Sequence, residues 1–115
     1  MKDRDLIIAI LTEFYPDESR FLGEAIIEDV VDSVSLGNTV AASNIDLGST
    51  ITIVAAGAGL IKTLLEIYFM LKQKLGKNPT KDELANAAKI ELDVQRNANI
   101  DNSALMDSVI AKLAG

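Results

Sequence analysis

Residues 48–75 read GSTITIVAAGAGLIKTLLEIYFMLKQKL, and the fold turns on how this stretch is placed. Positions 51–61 are all apolar, Gly or Thr. A helix that is apolar all round has to be covered on every side. Positions 62–75 are amphipathic. Ile61, Leu64, Tyr68, Leu71 and Leu75 recur at helical spacing, while Lys62, Glu66, Lys72 and Lys74 lie elsewhere on the turn. The stretch therefore predicts a central helix with the other helices packed around its first half. The run of small residues Ala55, Ala56, Gly57, Ala58 and Gly59 lets neighbouring backbones come close. Each glycine costs about 1 kcal/mol of helix propensity relative to Ala. Close packing offsets that cost, or a kink sits there.

Two other readings compete. Crossing a bilayer takes roughly 20 mostly apolar residues. Asp46 and Lys62 bound the uncharged run at positions 47–61, and any longer window takes in Lys62 and Glu66 at high cost. This favours a buried core helix over a membrane-active segment and argues against a membrane partner. The second competitor is a strand. Positions 50–54, TITIV, are β-branched throughout, so a short strand turning into helix near Gly57 is the alternative.

Composition sets the class around this element. A chain of 115 residues suits one domain with one modest core, and 49 % hydrophobic residues are too many for a disordered chain. Aromatics make up only 4 %, so the core is aliphatic, with Phe14, Tyr15, Phe21, Tyr68 and Phe69 as the expected large anchors. No cysteine is present, which removes disulfides, thiolate nucleophiles and Cys metal sites. No histidine is present either, which removes the commonest general base and metal ligand. The N-terminal apolar run covers only positions 6–11, a poor secretory signal, so a cytoplasmic protein is expected.

The net charge of −6 is uneven. Positions 1–35 carry 3 basic and 9 acidic side chains, and positions 36–115 carry 8 of each. Within 62–81, Lys62, Lys72, Lys74, Lys77 and Lys81 stand against Glu66 alone. An acidic head and a basic middle bear on partners and association, not on fold. An acidic chain with few aromatics argues against nucleic-acid binding.

The remaining elements read as helices. Helix is expected over 3–15, with Ile7, Ile10, Leu11 and Phe14 on one face and Pro16 as its stop. A second helix begins at Pro16-Asp17-Glu18, with Leu22, Ile26, Ile27, Val30, Val31 and Val34 as one stripe. Glu24, Glu28 and Asp32 follow each other at fours and line its exposed face. Positions 36–48 carry the turn signals Gly37-Asn38 and Ser43-Asn44 and read as a loop with one helical turn at most. Gly76 fits a left-handed C′ position. Thr80 and Glu83 form a capping box that starts a helix over 81–94, with Leu84, Ala88 and Leu92 inward. Residues 97–102 read as a turn. Residues 103–113 read as a last helix with the stripe Leu105, Met106, Val109, Ile110 and Leu113. The sum is an all-α, single-domain bundle of about five helices over residues 1–115.

No spacing in the chain carries chemistry. Gly57-Ala58-Gly59 lacks the later glycine of a phosphate loop. Glu24 and Glu28 are spaced as in carboxylate-bridged metal bundles, but those also need Glu-x-x-His. Asp17, Glu18 and Asp29 do not have calcium-loop spacing. No catalytic residue, metal or cofactor is expected, and the chain reads as a non-enzyme.

Residues 11–20, LTEFYPDESR, follow a short N-terminal helix and resemble bacterial effector-associated and death-like domains. The resemblance implies a helical adaptor that joins sensor and effector proteins by like-with-like association in bacterial defence or signalling. With it, the reading is a helical protein–protein interaction module, an adaptor or self-assembly domain. Its candidate partner-binding residues are Glu24, Glu28 and Asp32 on one side and Lys72, Lys74, Lys77 and Lys81 on the other. The alternative is a small acidic regulator or immunity-type protein that binds and blocks a partner protein.

Overall fold

A computed structural model describes residues 3–36, 45–89 and 101–114. The described residues form six helices: α1 (Asp3–Phe14), α2 (Pro16–Leu22), α3 (Glu24–Ser35), α4 (Ile45–Leu75), α5 (Lys81–Ala87) and α6 (Asn102–Ala114). No strand occurs among them, and positions 50–54 are helical.

α4 organises the rest. Its 31 residues span about 46 Å at 1.5 Å per residue. The longest dimension of the whole protein is 45 Å. All five other helices pack on α4. Most of the middle of α4 is covered, so positions 57–68 are rich in apolar and small residues, and only a narrow edge with Lys62, Thr63 and the exposed Glu66 reaches solvent. Ala58, Leu60, Ile61, Leu64 and Tyr68 are fully buried, with Leu65 and Ile67 nearly so. The cover is deepest at the middle of α4, not over its first half as the sequence suggested. Thr52 is exposed, and Ile53, Ala55 and Ala56 are only partly covered.

α1 places Leu6, Ile7, Ile10 and Leu11 in the core. It ends at Tyr15, whose backbone leaves the helical region (φ −128°, ψ 61°), and Pro16 starts α2 at once. Pro suits that first position because its missing N–H has no helical partner there.

The expected second helix is two helices. Gly23 sits at φ 88°, a conformation that L side chains rarely adopt, and it closes α2 and opens α3. Its N–H still bonds the Ser19 carbonyl at 3.0 Å, and its carbonyl takes the Ile27 N–H at 3.1 Å. Gly23 thus keeps both of its own backbone hydrogen bonds while the chain turns. Ile27, Val30 and Val31 of α3 then face the core.

α4 begins at Ile45, inside the segment read as a loop; positions 37–44 lie outside the described residues. It ends at Gly76, with φ 71° as the left-handed C′ reading requires. Thr80 accepts from the Glu83 N–H at 3.2 Å, and Glu83 accepts from the Thr80 N–H at 3.0 Å. This is the expected capping box. Leu84 and Ala88 are fully buried, but the helix expected over 81–94 stops at Ala87, where Ala88 leaves helical geometry (φ −98°, ψ 7°) as its C-cap; Leu92 and most of the 97–102 turn lie outside the described residues. In α6, Leu105, Met106 and Val109 are buried and Ile110 and Leu113 partly so.

α1 and α6 are joined across the chain. The Lys112 ammonium donates to Glu13 Oε2 at 2.7 Å, and the Ser108 hydroxyl donates to the same oxygen at 3.0 Å. Those contacts hold the Glu13 carboxyl below its ordinary pKa, the Lys112 hydrogen bond most strongly.

Candidate interaction surfaces

The acidic stripe on α3 is partly engaged within the molecule. The Arg4 guanidinium of α1 donates to Asp32 Oδ1 at 2.7 Å and Oδ2 at 3.4 Å, and lies 3.7 Å from Glu28 Oε1. The Asp32 hydrogen bond and charge raise the Arg4 pKa further. All three side chains stay well exposed, so this clamp is solvent-screened and adds little to stability. It does compensate the charge of Glu28 and Asp32. Glu24 and Asp29 are exposed and make no ion pair among the described residues.

The basic set divides in the same way. Lys81 is structural: its ammonium lies 3.0 Å from Asp107 Oδ1 and donates to Ser103 Oγ at 2.8 Å, tying α5 to α6. Lys72, Lys74 and Lys77 are exposed and make no ion pair among the described residues. Lys72 and Lys74 sit in the last turn of α4, where a cation complements the helix dipole. Their presence thus has a local cause and requires no partner.

The same end of α4 holds two side chains that have no such cause. Phe69, expected as a large core anchor, is 42 % exposed and Met70 57 % exposed, just beyond the buried middle of the helix, with Leu75 exposed further on. Phe69 meets the buried Tyr68 edge-on, ring centroids 5.7 Å apart. Lys72 follows Phe69 by three residues and Lys74 follows Met70 by four, so a lysine flanks each apolar side chain. Beside Phe69 runs a groove of about 310 Å³ between α1, α4 and α6, lined by Leu6, Ala9, Lys112 and Leu113.

A second apolar feature escaped the sequence reading. Phe21, expected as a core anchor, is 59 % exposed on α2. Its place just off the apolar stripe, one residue before Leu22, is the signal that could have revealed it. Asp17 and Glu18 precede it by four and three residues on the same helix, and Glu24 follows the Gly23 turn. Arg20 is spent loosely on Asp17, 4.0 Å away. A groove of about 400 Å³ opens between α1, α2 and α3, lined by Ile8, Thr12, Pro16, Arg20, Glu24 and Ile27 among others.

No group of three or more acidic side chains converges among the described residues. By length and composition Thr50–Leu75 could cross a membrane, a property that buried core helices of soluble proteins share. No family model, no curated protein and no solved structure matches the chain.

Proposed function

We propose that this chain is a non-enzymatic helical protein–protein interaction module, an adaptor or self-assembly domain that grips its partner through the C-terminal half of α4. The observation that carries this reading is the exposure of Phe69 and Met70 beside Lys72 and Lys74. Aromatic residues and Met are enriched in interface cores, and a contiguous exposed apolar patch marks an interaction site. Lysines around it favour a partner with an acidic rim. The net charge of −6 speaks for a protein partner over nucleic acid. The resemblance of residues 11–20 to bacterial adaptor domains supports a defence or signalling setting in the cytoplasm.

Affinity capture from the source cells tests this reading, with wild-type bait beside a Phe69→Ser/Met70→Ser bait. A protein held by the wild type and lost from the double variant is expected. Identical capture profiles would reject the α4 face as the binding surface.

The exposed, uncompensated Glu24 and Asp29 favour a second reading, a small acidic regulator that binds and blocks a basic partner. On that reading Glu24→Lys/Asp29→Lys loses the captured protein and the Phe69→Ser/Met70→Ser bait keeps it.

A further inference from the structure

We infer that the occupant of the α4 face is a second copy of this chain, presenting its α2–α3 face. The inference rests on the interaction-module reading and names its partner. The chain has five aromatic residues. Tyr15 and Tyr68 are buried and Phe14 is partly covered, while Phe21 and Phe69 stand out into solvent. A chain this poor in aromatics has left two of its largest apolar side chains outside the core it had to build. Each is dressed with charge, and on balance the two dressings are opposite. On its helix Phe21 has Asp17 and Glu18 four and three residues before it, beside Arg20, and Phe69 with Met70 has Lys72 and Lys74 after it and Glu66 before it.

The two patches cannot cover each other within one molecule, because both are exposed in the same structure. α2 follows Tyr15, whose ring lies against Gly57 of α4. Phe69 is about 18 Å further along that helix at its rise per residue. The α1–α4–α6 groove beside Phe69, with Leu6, Ala9 and Leu113 in its lining, offers apolar surface to an incoming aromatic ring. Large aromatic anchors in such settings carry most of the energy of an interface, and the charges set its register and its rate of formation. Because two different patches meet, the contact is head-to-tail. It leaves one free patch of each kind on every dimer, so assembly continues into rings or filaments.

Sedimentation velocity on the full chain tests the inference with three samples: Phe21→Ser, Phe69→Ser, and the two mixed. Both positions are exposed, and thermal melts of each variant confirm its fold. Wild type should grow in size with concentration, and the growth should weaken near 1 M salt, where the Debye length is roughly 3 Å. Each variant alone should be monomeric. The mixture should form a dimer that grows no further, because each variant keeps the patch that the other lacks. A monomeric wild type at low salt, a variant that assembles as well as wild type, or a mixture that stays monomeric would each overturn the head-to-tail contact. If the wild type is monomeric while the Phe69→Ser/Met70→Ser bait still loses a captured protein, the interaction-module reading survives and the second-copy partner falls. If that bait loses nothing and the mixture stays monomeric, both fall.

Discussion

The ring of Tyr15 lies on the backbone of α4 at Gly57, so close that a Cβ there would stand 2.6 Å from Cε2 and 2.8 Å from the hydroxyl oxygen. Tyr15 is 3 % exposed and sits at the break between α1 and α2, so its ring has little room to yield. Gly59, one half-turn on, faces open packing, with Val34 Cγ1 at 3.9 Å as its nearest neighbour. The two glycines therefore respond to one substitution with opposite sign. Gly57→Ala forces the ring aside and should destabilise by about 1–3 kcal/mol, the cost of overpacking. Gly59→Ala adds only ordinary contact and should stabilise by about 0.4–1 kcal/mol. Urea unfolding of both variants checks the pair; equal effects would mean that Tyr15 does not pack there.

Burial controls the alkaline behaviour of both tyrosines. It pushes the Tyr15 phenol up to about 12, with the nearby charge of Glu18 adding to the effect, and it raises Tyr68 as well. Each group holds its proton longer in the folded state than in the unfolded state, whose value is near 10. Stability is then full below about pH 10 and is lost as pH rises toward 12, by roughly 2–3 kcal/mol for Tyr15. These are the only two tyrosines in the chain. Tyrosinate absorbance should lag behind that of the unfolded chain and rise together with loss of helix. Both tyrosines titrating as in the unfolded chain while helix persists would contradict the burial of the rings.

Tyr68 is fully buried on α4, yet its hydroxyl has no hydrogen-bond partner among the described residues. A buried polar group left unpaired costs about 1–3 kcal/mol. Tyr68→Phe removes the hydroxyl and keeps the ring, so it should leave stability unchanged or raise it by about 1 kcal/mol. A loss of more than that on thermal or urea unfolding would show that the hydroxyl has a partner in solution.

Much of this architecture was legible in the sequence because it follows from local pattern. The all-round apolar stretch pointed to a central packed helix, which α4 is although its cover lies deepest further along, and Thr80 with Glu83 marked a helix start. The break at Gly23 was not legible. The stripe from Leu22 to Val34 runs through it in register, and one glycine in a helix costs only about 1 kcal/mol. Only the packing of α2 and α3 around α4 decides that the chain turns there. Candidate site residues divided for the same reason. Arg4 and Asp32 are 28 residues apart, and no local pattern joins them. Lys81 finds Asp107 across a similar gap. The exposure of Lys72 and Lys74 was readable from their place on the last turn of an amphipathic helix.

The Glu13–Lys112 contact should appear in acid stability. Glu13 is held below its ordinary value of 4.5, first by the Lys112 hydrogen bond. A lowered carboxyl stabilises the folded state above its unfolded pKa, and the gain is lost as pH falls through the folded pKa. The Glu13 side chain is 47 % exposed, so solvent keeps the gain within about 1 kcal/mol. Glu13→Gln should therefore lower the melting temperature slightly at pH 7, and the difference should shrink as pH falls through the lowered Glu13 pKa. A difference that persists at low pH would mean that Glu13 acts through packing and not through charge.

The last prediction asks what the acidic stripe is for. Arg4 compensates Glu28 and Asp32, leaving Glu24 and Asp29 as the open charges of the α3 face. If the stripe serves the fold, Arg4→Ala should weaken the docking of α1 on α3 and lower the melting temperature clearly. The exposure of the pair argues otherwise, since a screened contact at the surface gains little from its charges. Arg4→Ala is therefore expected to melt close to wild type. It also makes the α3 face more acidic by one full charge. Association that sets an acidic face against Lys72 and Lys74 is steered by that field, most strongly where salt is low. Arg4→Ala should then assemble at lower concentration than wild type in low salt, and the two should converge as salt rises. Weaker assembly by a stably folded Arg4→Ala, or a difference that salt does not remove, would show that the α3 charge plays no steering part.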